Sequence, residues 1–281
     1  MEKQQLLELK KTAVRIRRHI IDAVYHAGSG HPGGSLSCTD ILTVLYFKHM
    51  NVNINDPNDL DRDRFVMSKG HCAPALYATL AEKGFFSTEE LKNLRKIDSF
   101  LQGHPSMKDV PGVDMSTGSL GQGISASVGM ALAGKLDKKD YRVYVIIGDG
   151  ECQEGQVWEA LMAAAHYKLD NLTVFLDHNG LQIDGKITEV MSPECLPSKF
   201  RAFNWNVIEI DGNDLIAIDD AVEKAKATKG MPTMVVANTV KGKGVSFMEG
   251  EYGWHGKAPN KEERDKAISE LDKAMELLGG E

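Results

Sequence analysis

The chain has 281 residues, of which 42% are hydrophobic and 26% are charged, a composition typical of a soluble globular protein. Its formal net charge of -7 argues against nucleic acid or an acidic membrane surface as the main partner, so a phosphorylated ligand would need local neutralisation by a metal ion or by helix N-termini. No apolar stretch is long enough to span a bilayer, the first residues do not form a signal peptide, and the four cysteines lack zinc-binding spacing. We therefore expect a cytoplasmic protein with reduced thiols and with neither a nucleic-acid partner nor a membrane partner.

The first part of the chain predicts helices that are separated by loops carrying histidine. The predicted helices have apolar residues at helical spacing and span residues 2–27, 39–49 and 73–83, with another starting at the capping-box sequence 87–90. The loop at 28–35 contains four glycines and a proline around His31, so its backbone can approach a ligand closely. A short predicted strand at 64–68 leads to His71, which opens the next helix.

A second glycine-rich loop, at residues 116–123, leads into a predicted helix of small side chains at 124–135. A glycine-rich loop that opens a helix suits phosphate binding, because its backbone N–H groups are free and the helix N-terminus is positive. The glycines follow the pattern Gly-x-x-Gly-x-Gly rather than the dinucleotide pattern Gly-x-Gly-x-x-Gly, and no clear strand precedes them. A nicotinamide cofactor is therefore a weak interpretation.

Two β-branched, apolar runs, residues 143–147 and 172–176, predict buried strands of a parallel sheet. The first run ends in Gly148-Asp149-Gly150-Glu151, and the second is followed by Asn179. Taken alone, Gly-Asp-Gly is more often a tight turn whose aspartate caps a helix. However, ligands bind at the carboxyl ends of parallel strands, where Asp149 and Asn179 could converge. Their oxygens are donors that Mg²⁺ or Ca²⁺ prefers, so the pair predicts a cation site suited to a diphosphate.

The remaining elements complete an α/β pattern. We expect a helix at 157–167 to connect the two central strands as a right-handed crossover. The later predicted elements are helices at 197–203, 214–228 and 261–278 and strands at 206–210 and 232–237. Because no repeat, low-complexity segment or linker interrupts residues 1–281, we predict a single domain with a doubly wound, mostly parallel sheet.

Four of the nine histidines lie in glycine-bearing loops, namely His31, His71, His104 and His255. A lone histidine is more often a surface or packing residue, and we interpret the helical histidines in that way. Four of them at the ends of predicted elements around a cation site are harder to explain by packing. Histidine titrates near neutral pH, so these side chains suit proton transfer to and from hydroxyl and carbonyl oxygens.

Taken together, the motifs resemble the diphosphate-binding domain of the transketolase family. In chain order they are Gly30-His31-Pro32-Gly33-Gly34-Ser35, Ser68-Lys69-Gly70-His71, Gly103-His104-Pro105, Ser116-Thr117-Gly118-Ser119-Leu120-Gly121-Gln122-Gly123, Gly148-Asp149-Gly150-Glu151 and Trp254-His255-Gly256. The resemblance covers nearly the whole chain and implies the thiamine diphosphate-binding fold. It also implies thiamine diphosphate as cofactor and transfer of a two-carbon ketol unit from a ketose phosphate to an aldose phosphate. The residues alone support oxygen ligands and proton-shuttling histidines, but they do not identify thiamine.

The same resemblance implies roles for individual residues. The implied ligands of the cation, which would be Mg²⁺ or alternatively Ca²⁺ or Mn²⁺, are Asp149, Asn179 and the backbone carbonyl of Leu181. The residues implied to contact the diphosphate or the cofactor rings are His71, Gly118, Leu120, Gly150, Glu151, Asn179, Ile183 and His255. The residues implied to face the sugar and move protons are His31, His104 and His255.

The chain departs from a full-length transketolase in a way that implies a partner. In the family, the activating glutamate and the aromatic residues around the aminopyrimidine belong to a pyrimidine-binding domain. Neither that domain nor the C-terminal domain can be recognised in residues 1–281. The resemblance therefore implies the N-terminal subunit of a split transketolase that is active only with a second subunit carrying the pyrimidine-binding domain. By analogy with the dimeric family, we expect a heterotetramer made of two heterodimers.

Two alternatives remain open from the sequence. The chain could belong to a split ketol transferase for an unusual sugar, or it could be a non-catalytic binding or regulatory relic of the fold. Asp149, Asn179 and the four loop histidines argue against a relic, which need not keep them. A deoxyxylulose-phosphate synthase is disfavoured, because residues 70–75 and Gly150-Glu151 resemble transketolase instead.

Overall fold

The centre of the protein is a five-stranded parallel sheet. The structure is a computed structural model and describes residues 1–280. The strands are β1 (Arg64–Met67), β2 (Val143–Gly148), β3 (Leu172–His178), β4 (Leu181–Gln182), β5 (Gly185–Lys186), β6 (Asn206–Asp211) and β7 (Thr233–Asn238). In the central sheet they are ordered β1-β2-β3-β7-β6 and every neighbouring pair is parallel, while β4 and β5 form a separate antiparallel hairpin. The prediction of an α/β fold with a parallel sheet is confirmed.

Helices cover both faces of this sheet. In chain order they are α1 (Lys3–Ala27), α2 (Pro32–Ser37), α3 (Thr39–Val44), α4 (Ala73–Lys83), α5 (Gln122–Leu136), α6 (Gly155–His166), α7 (Ile187–Val190), α8 (Leu196–Ala202), α9 (Leu215–Ala227) and α10 (Lys261–Gly279). The longest of them, α1, ends at Gly28, whose φ of 63° is the left-handed conformation that commonly closes a helix. Among residues 1–280, no helix has the length and apolar character needed to cross a bilayer.

Alternate residues of each strand face opposite sides of the sheet, which gives the protein two hydrophobic cores. Ile146 and Phe175 are paired in register and pack with apolar residues of α1, α3, α4 and α9. Val145 and Val174, one position earlier, pack on the other side with α5, α6 and α8. All four side chains are fully buried, and burial of each contributes about 1.5–3 kcal/mol. Helices on both faces make this the doubly wound arrangement that the sequence predicts.

Two predicted segments in the first fifty residues differ from the structure. The loop predicted at 28–35 becomes helical from Pro32 onward. Proline suits the first helical position, because its φ is already fixed and its missing N–H would have no helical acceptor. The helix predicted at 39–49 is regular only to Val44 and finishes in a π-helical turn, Leu45–His49.

The sequence also misassigned or missed some short elements. Ser87 begins a 3₁₀ segment, Thr88–Asn93, instead of the predicted α-helix. Its hydroxyl accepts a hydrogen bond from the N–H of Glu89, two residues on, so the predicted capping box does not form. The hairpin of β4 and β5 and the single turn α7 were not predicted, because segments of two to four residues carry no periodic signal.

The functional loops follow the carboxyl ends of the parallel strands. Strand β1 is followed by Lys69 and His71, β2 by Asp149, β3 by Asn179, and β7 by Lys241. Parallel strands end at the same edge of a sheet, so loops that are distant in sequence meet there.

Candidate active site

A cavity of about 480 Å³ lies at this edge of the sheet. Every residue predicted for the site contributes to its walls, namely His31, His71, His104, Gly118, Leu120, Asp149, Gly150, Glu151, Asn179, Leu181, Ile183 and His255. The other lining residues, to which the sequence assigned no role, are Gly34, Lys69, Gly148, Gln153, Glu154, Gln182, Asp184 and Lys241. The structure therefore brings all of the predicted residues together in one place.

Close contact between loops explains two glycines, Gly70 behind the cavity wall and Gly118 in it. A Cβ atom on Gly70 would lie 2.7 Å from the backbone nitrogen of Gly118, so the loop of His71 and the second glycine-rich loop could not touch with a larger residue there. A Cβ atom on Gly118 would in turn lie 3.3 Å from the ring of His104. These glycines allow three loops to form one continuous wall.

Asp149 is a buried carboxylate at the end of β2. It is 2% exposed, its Oδ1 accepts a hydrogen bond of 2.8 Å from the N–H of Gly150, and its Oδ2 accepts one of 2.6 Å from the N–H of Gly180. Burial, together with the nearby charge of Asp177, raises the pKa of Asp149 from 3.8 to about 6. A cation bound at this carboxylate would offset the cost of keeping it charged.

Asn179 and Leu181 place two further oxygens beside Asp149. The Oδ1 of Asn179 accepts a hydrogen bond of 3.2 Å from the N–H of Leu181, and the carbonyl of Leu181 accepts one of 3.4 Å from Nζ of Lys241. No cluster of three histidine, cysteine, aspartate or glutamate side chains suited to a metal occurs within residues 1–280. The donor set is therefore one carboxylate, one carboxamide and one backbone carbonyl, which fits the hard-oxygen chemistry of Mg²⁺ or Ca²⁺.

The part of the cavity around Lys241 and Gly34 suits an anionic ligand. The side chain of Lys241 is 3% exposed, and burial, followed by the charge of Lys69, lowers its pKa. A Cβ atom on Gly34 would lie 3.0 Å from Sγ of Cys72 and 3.8 Å from Nε2 of His71. A larger residue at this position would therefore fill this part of the cavity. An open cradle beside a buried ammonium group fits a diphosphate.

Three of the histidines form a compact cluster above this cradle. The ring centroids of His31 and His71 are 5.1 Å apart, those of His31 and His255 are 5.3 Å apart, and those of His71 and His255 are 5.1 Å apart. Burial, followed by the charge of His71, lowers the pKa of His31 to about 4. Burial, followed by the charge of Lys241, lowers the pKa of His255 to about 3. Both rings are therefore neutral at pH 7, when each can donate one hydrogen bond and accept another.

The shifted pKa of His31 predicts a pH dependence of folding stability. The unfolded chain takes up a proton at His31 as the pH falls through 6.5, whereas the folded chain does so only near pH 4. Between these values the unfolded state binds more protons, so His31 makes the folded protein lose stability as the pH falls. We expect His31→Gln to remove this part of the loss, as measured by urea unfolding at pH 7.5, 5.5 and 4.5. Parallel stability profiles for the two proteins would contradict the expectation.

His104 lies apart from the cluster, at the exposed rim of the cavity. Its backbone carbonyl accepts a hydrogen bond of 2.9 Å from the hydroxyl of Tyr77, which fixes the loop on α4. Burial of part of the ring, followed by the charge of Arg95, lowers the pKa of His104. The rim position of His104 allows it to reach a ligand in the cavity.

Glu151 occupies a supporting position rather than an open one. Its Oε1 accepts hydrogen bonds of 2.5 Å from the hydroxyl of Ser68 and 2.8 Å from the N–H of Gly121, and its Oε2 accepts one of 3.0 Å from the N–H of Gly148. The residue is 2% exposed. Although Glu151 borders the cavity, its carboxylate joins the ends of β1 and β2 to the second glycine-rich loop.

Sequence reasoning missed two lysines that line the cavity. Lys69 stands between predicted residues in the Ser-Lys-Gly-His motif, and Lys241 follows β7 at the edge where ligands bind. Both are 3% exposed, although lysine is rarely buried without a partner. Lys69 directly follows its predicted strand and Lys241 stands four positions after its own, so a lysine close to the end of a predicted buried strand was the available signal.

Comparisons with known proteins agree with this geometry. The family of the transketolase thiamine diphosphate binding domain matches residues 9–273. An apulose-4-phosphate transketolase subunit of Phocaeicola vulgatus is 45% identical over 274 residues, which cover 98% of this chain and 97% of that protein. The 6-deoxy-6-sulfo-D-fructose transketolase subunit SqwG of Clostridium sp. strain MSTE9 is 46% identical over 270 residues, covering 96% and 98% of the two chains.

Solved structures show the same relationship in three dimensions. The crystal structure of transketolase from Campylobacter jejuni superposes with a TM-score of 0.87 at 32% sequence identity. The match covers 99% of this chain and 46% of that one, so the chain spans about half the length of this transketolase. The resemblance identified from the motifs is confirmed. The chain therefore belongs to the transketolase family, and residues 9–273 match its thiamine diphosphate binding domain.

Proposed function

We propose that the chain is the diphosphate-side subunit of a two-chain transketolase, which transfers a two-carbon ketol unit from a ketose phosphate to an aldose phosphate. The observation that carries this proposal is the meeting of cation-binding oxygens and four histidines in one cavity. Two relatives of nearly the same length are named as subunits of transketolases, which supports an enzyme divided between chains. In this proposal residues 1–281 form one domain, and a partner supplies the pyrimidine-binding and C-terminal domains. The assembly is a cytoplasmic heterotetramer of two heterodimers.

The proposed complex holds its cofactor between the sheet edge and the partner. Asp149, Asn179 and the carbonyl of Leu181 hold Mg²⁺, with Ca²⁺ or Mn²⁺ as alternatives, and Lys241 neutralises part of the diphosphate. Ile183, 64% exposed at the tip of the β4–β5 hairpin, is positioned to cover an apolar ring. Thiamine diphosphate, when bound, supplies the nucleophilic carbon and the electron sink for carbon–carbon cleavage.

The histidines of this chain orient the sugar and move its protons. His31 and His255 are neutral at pH 7. Nδ1 of His255 accepts a hydrogen bond of 3.3 Å from Nζ of Lys241, so this ring offers its Nε2–H group to a hydroxyl. The Nδ1 of His31 is buried and has no hydrogen-bond partner within residues 1–280. A buried polar atom without a partner is costly, so His31 contributes a polar group that the protein itself does not satisfy.

Alanine substitutions at His104 and His255 are expected to reduce turnover much more than they reduce cofactor affinity. General acid–base groups contribute about 10²–10⁴ in rate, whereas the diphosphate keeps its metal and Lys241. The measurement is kcat together with the thiamine diphosphate dissociation constant in the two-chain complex. His26→Ala is the matched control, because His26 is exposed near the end of α1 and does not line the cavity. Losses below about threefold at both positions, far under that range, would return these histidines to a structural role.

The outer sides of α5 and α6 form the proposed partner surface. Residues 122–134 contain no charged side chain, which is unusual for a helix that faces water on one side. Exposed apolar side chains continue this surface at Leu136, Met162 and Tyr167, which are 73%, 62% and 51% exposed. Obligate interfaces are more hydrophobic than ordinary protein surface, so a second chain is the occupant that this composition favours.

Met162→Glu is expected to weaken assembly with the partner subunit, because it places a charge in the middle of an apolar interface. Loss of a hot-spot contact near the centre of an interface costs about 2 kcal/mol or more, which is about a thirtyfold loss of affinity. Analytical ultracentrifugation of the mixed chains measures it. Ile97→Glu, at a site 92% exposed outside these helices, is the control. Equal assembly of both variants and the wild type would exclude α5 and α6 as the partner surface.

A donor screen in the presence of the cognate second chain tests the proposed activity. The screen contains the ketose phosphates of the pentose phosphate pathway together with apulose 4-phosphate and 6-deoxy-6-sulfo-D-fructose, the sugars in the names of two relatives. We expect cleavage of at least one donor and appearance of a product longer by two carbons. Reaction with an unusual sugar alone would favour the split ketol transferase of narrower specificity. No cleavage of any donor by a complex that binds cofactor would favour the non-catalytic alternative.

A further inference from the structure

A buried ion pair lies directly behind the proposed cation ligands. Nζ of Lys69 is 2.5 Å from Oδ2 of Asp177, and the two side chains are 3% and 0% exposed. Lys69 also donates a hydrogen bond of 2.9 Å to the carbonyl of Gly34. Asp177 stands on β3, two residues before Asn179, and does not line the cavity itself.

The carboxylate of Asp177 is surrounded by hydrogen-bond donors. Its Oδ2 accepts hydrogen bonds from Lys69, from the hydroxyl of Ser37 at 2.6 Å and from Nδ2 of Asn179 at 3.0 Å. Its Oδ1 accepts one from the hydroxyl of Thr239. With both oxygens occupied and no exposed surface, Asp177 is unsuited to bind a ligand directly. Of its hydrogen bonds, the one with Asn179 reaches a proposed ligand of the cation.

That contact determines which end of the Asn179 carboxamide faces the cation. A charged carboxylate can only accept hydrogen bonds, so the NH₂ group of Asn179 must point towards Asp177. The oxygen then points the other way, and the N–H of Leu181 donates to it in the same orientation. A carboxamide turned end for end would offer the cation an NH₂ group, which cannot serve as a ligand.

We propose that Asp177, held by Lys69, is a positioning residue that fixes the Asn179 carboxamide with its oxygen towards the cation. The inference rests on the metal site of the proposed function. Lys69 is part of the arrangement because its charge balances that of Asp177. Without Lys69, an uncompensated second carboxylate would stand close to Asp149. Because the pair of Lys69 and Asp177 is neutral as a whole, Asp177 orients Asn179 without adding net charge beside Asp149.

The test is the Mg²⁺ concentration at half-saturation of thiamine diphosphate binding, measured by calorimetry on the two-chain complex without substrate. Asp177→Leu has a similar branched shape but accepts no hydrogen bond, so Asn179 loses its fixed orientation. Substitution of a residue that orients a metal ligand typically costs about 10–100-fold in metal affinity, and we expect a midpoint raised by that factor. Thr239→Val is the matched control, because it removes a hydrogen bond from the other oxygen of Asp177 and should leave the midpoint unchanged.

A second substitution separates orientation from simple structural damage. Asn179→Asp has an oxygen at both ends, so its orientation no longer matters. In the wild-type background it places a second carboxylate against Asp177 and should weaken Mg²⁺ binding. In the Asp177→Leu background it should restore the midpoint towards the wild-type value. If Asp177 has only a structural role, the losses of Mg²⁺ affinity caused by the two substitutions should add. The effect of Asn179→Asp should then not change sign between the two backgrounds.

Two results would overturn the positioning role of Asp177. An unchanged midpoint in Asp177→Leu, or an equal loss with and without Asn179→Asp, overturns the positioning role. If Asp177→Leu does not fold, Lys69→Met combined with Asp177→Leu removes both charges of the buried pair, and the same rescue is measured in that background. Absence of Mg²⁺-dependent cofactor binding in the wild-type complex would overturn the metal site as well, which distinguishes failure of the proposed function from failure of this inference.

Discussion

Asp149→Ala is expected to abolish Mg²⁺-dependent binding of thiamine diphosphate to the two-chain complex. The substitution removes the charged member of the donor set, leaving one carboxamide and one carbonyl to hold the cation. Residues that only support a metal ligand already contribute about 10–100-fold to affinity, so loss of the charged ligand should cost about 100-fold or more. Asn179→Ala should act in the same direction but more weakly, because it removes a neutral oxygen. Calorimetric titration of the cofactor with and without Mg²⁺ measures both effects.

Two control variants make this result specific. Asp149→Asn keeps the shape of the side chain, so a similar loss in this variant assigns the effect to charge rather than to the contacts with Gly150 and Gly180. Asp184→Ala removes the same charge from an exposed position in the wall of the same cavity and should leave affinity nearly unchanged. Undiminished Mg²⁺-dependent binding in Asp149→Ala would exclude this carboxylate as a ligand.

The sheet and the loops could be predicted because their signals are local. The runs at 143–147 and 172–176 are apolar at every position but Thr173, as strands buried on both faces must be, and they form β2 and β3. Because parallel strands share an edge, the loops that follow them were predicted to meet. His31, Asp149 and Asn179 line the same cavity, although 148 positions separate His31 from Asn179.

The hydrogen-bond network behind the cavity could not be predicted in the same way. Lys69 and Asp177 are 108 positions apart, and neither residue shows in its own neighbourhood that it will be fully buried beside the other. Glu151 illustrates the same limit. Its place in a glycine-bearing motif indicates that it lies near the ligand, but not the direction in which its carboxylate points. Its carboxylate instead joins Ser68 to Gly121, a contact that depends on how three separate segments pack.

The second large expected effect is that the isolated chain shows no ketol-transfer activity. Formation of the reactive cofactor requires a carboxylate beside the aminopyrimidine, and the resemblance to transketolase places that glutamate on the partner. Two glutamates of this chain line the cavity. Glu151 is committed to internal hydrogen bonds, and Glu154 is exposed at the rim. Neither offers a buried carboxylate free to act on a cofactor ring. The expected activity of the chain alone is therefore that of the background reaction.

The most direct measurement compares the chain alone with the chain mixed with its cognate second subunit, each with thiamine diphosphate and Mg²⁺. Ketol transfer from a ketose phosphate to an aldose phosphate is assayed, and exchange of the thiazolium proton for deuterium is followed in parallel. The proposed division of the enzyme predicts slow exchange and no transfer with the chain alone, and fast exchange with transfer in the mixture. Rapid exchange and full transfer by the isolated chain would contradict it and would place the activating carboxylate within these residues, with Glu154 as the first candidate.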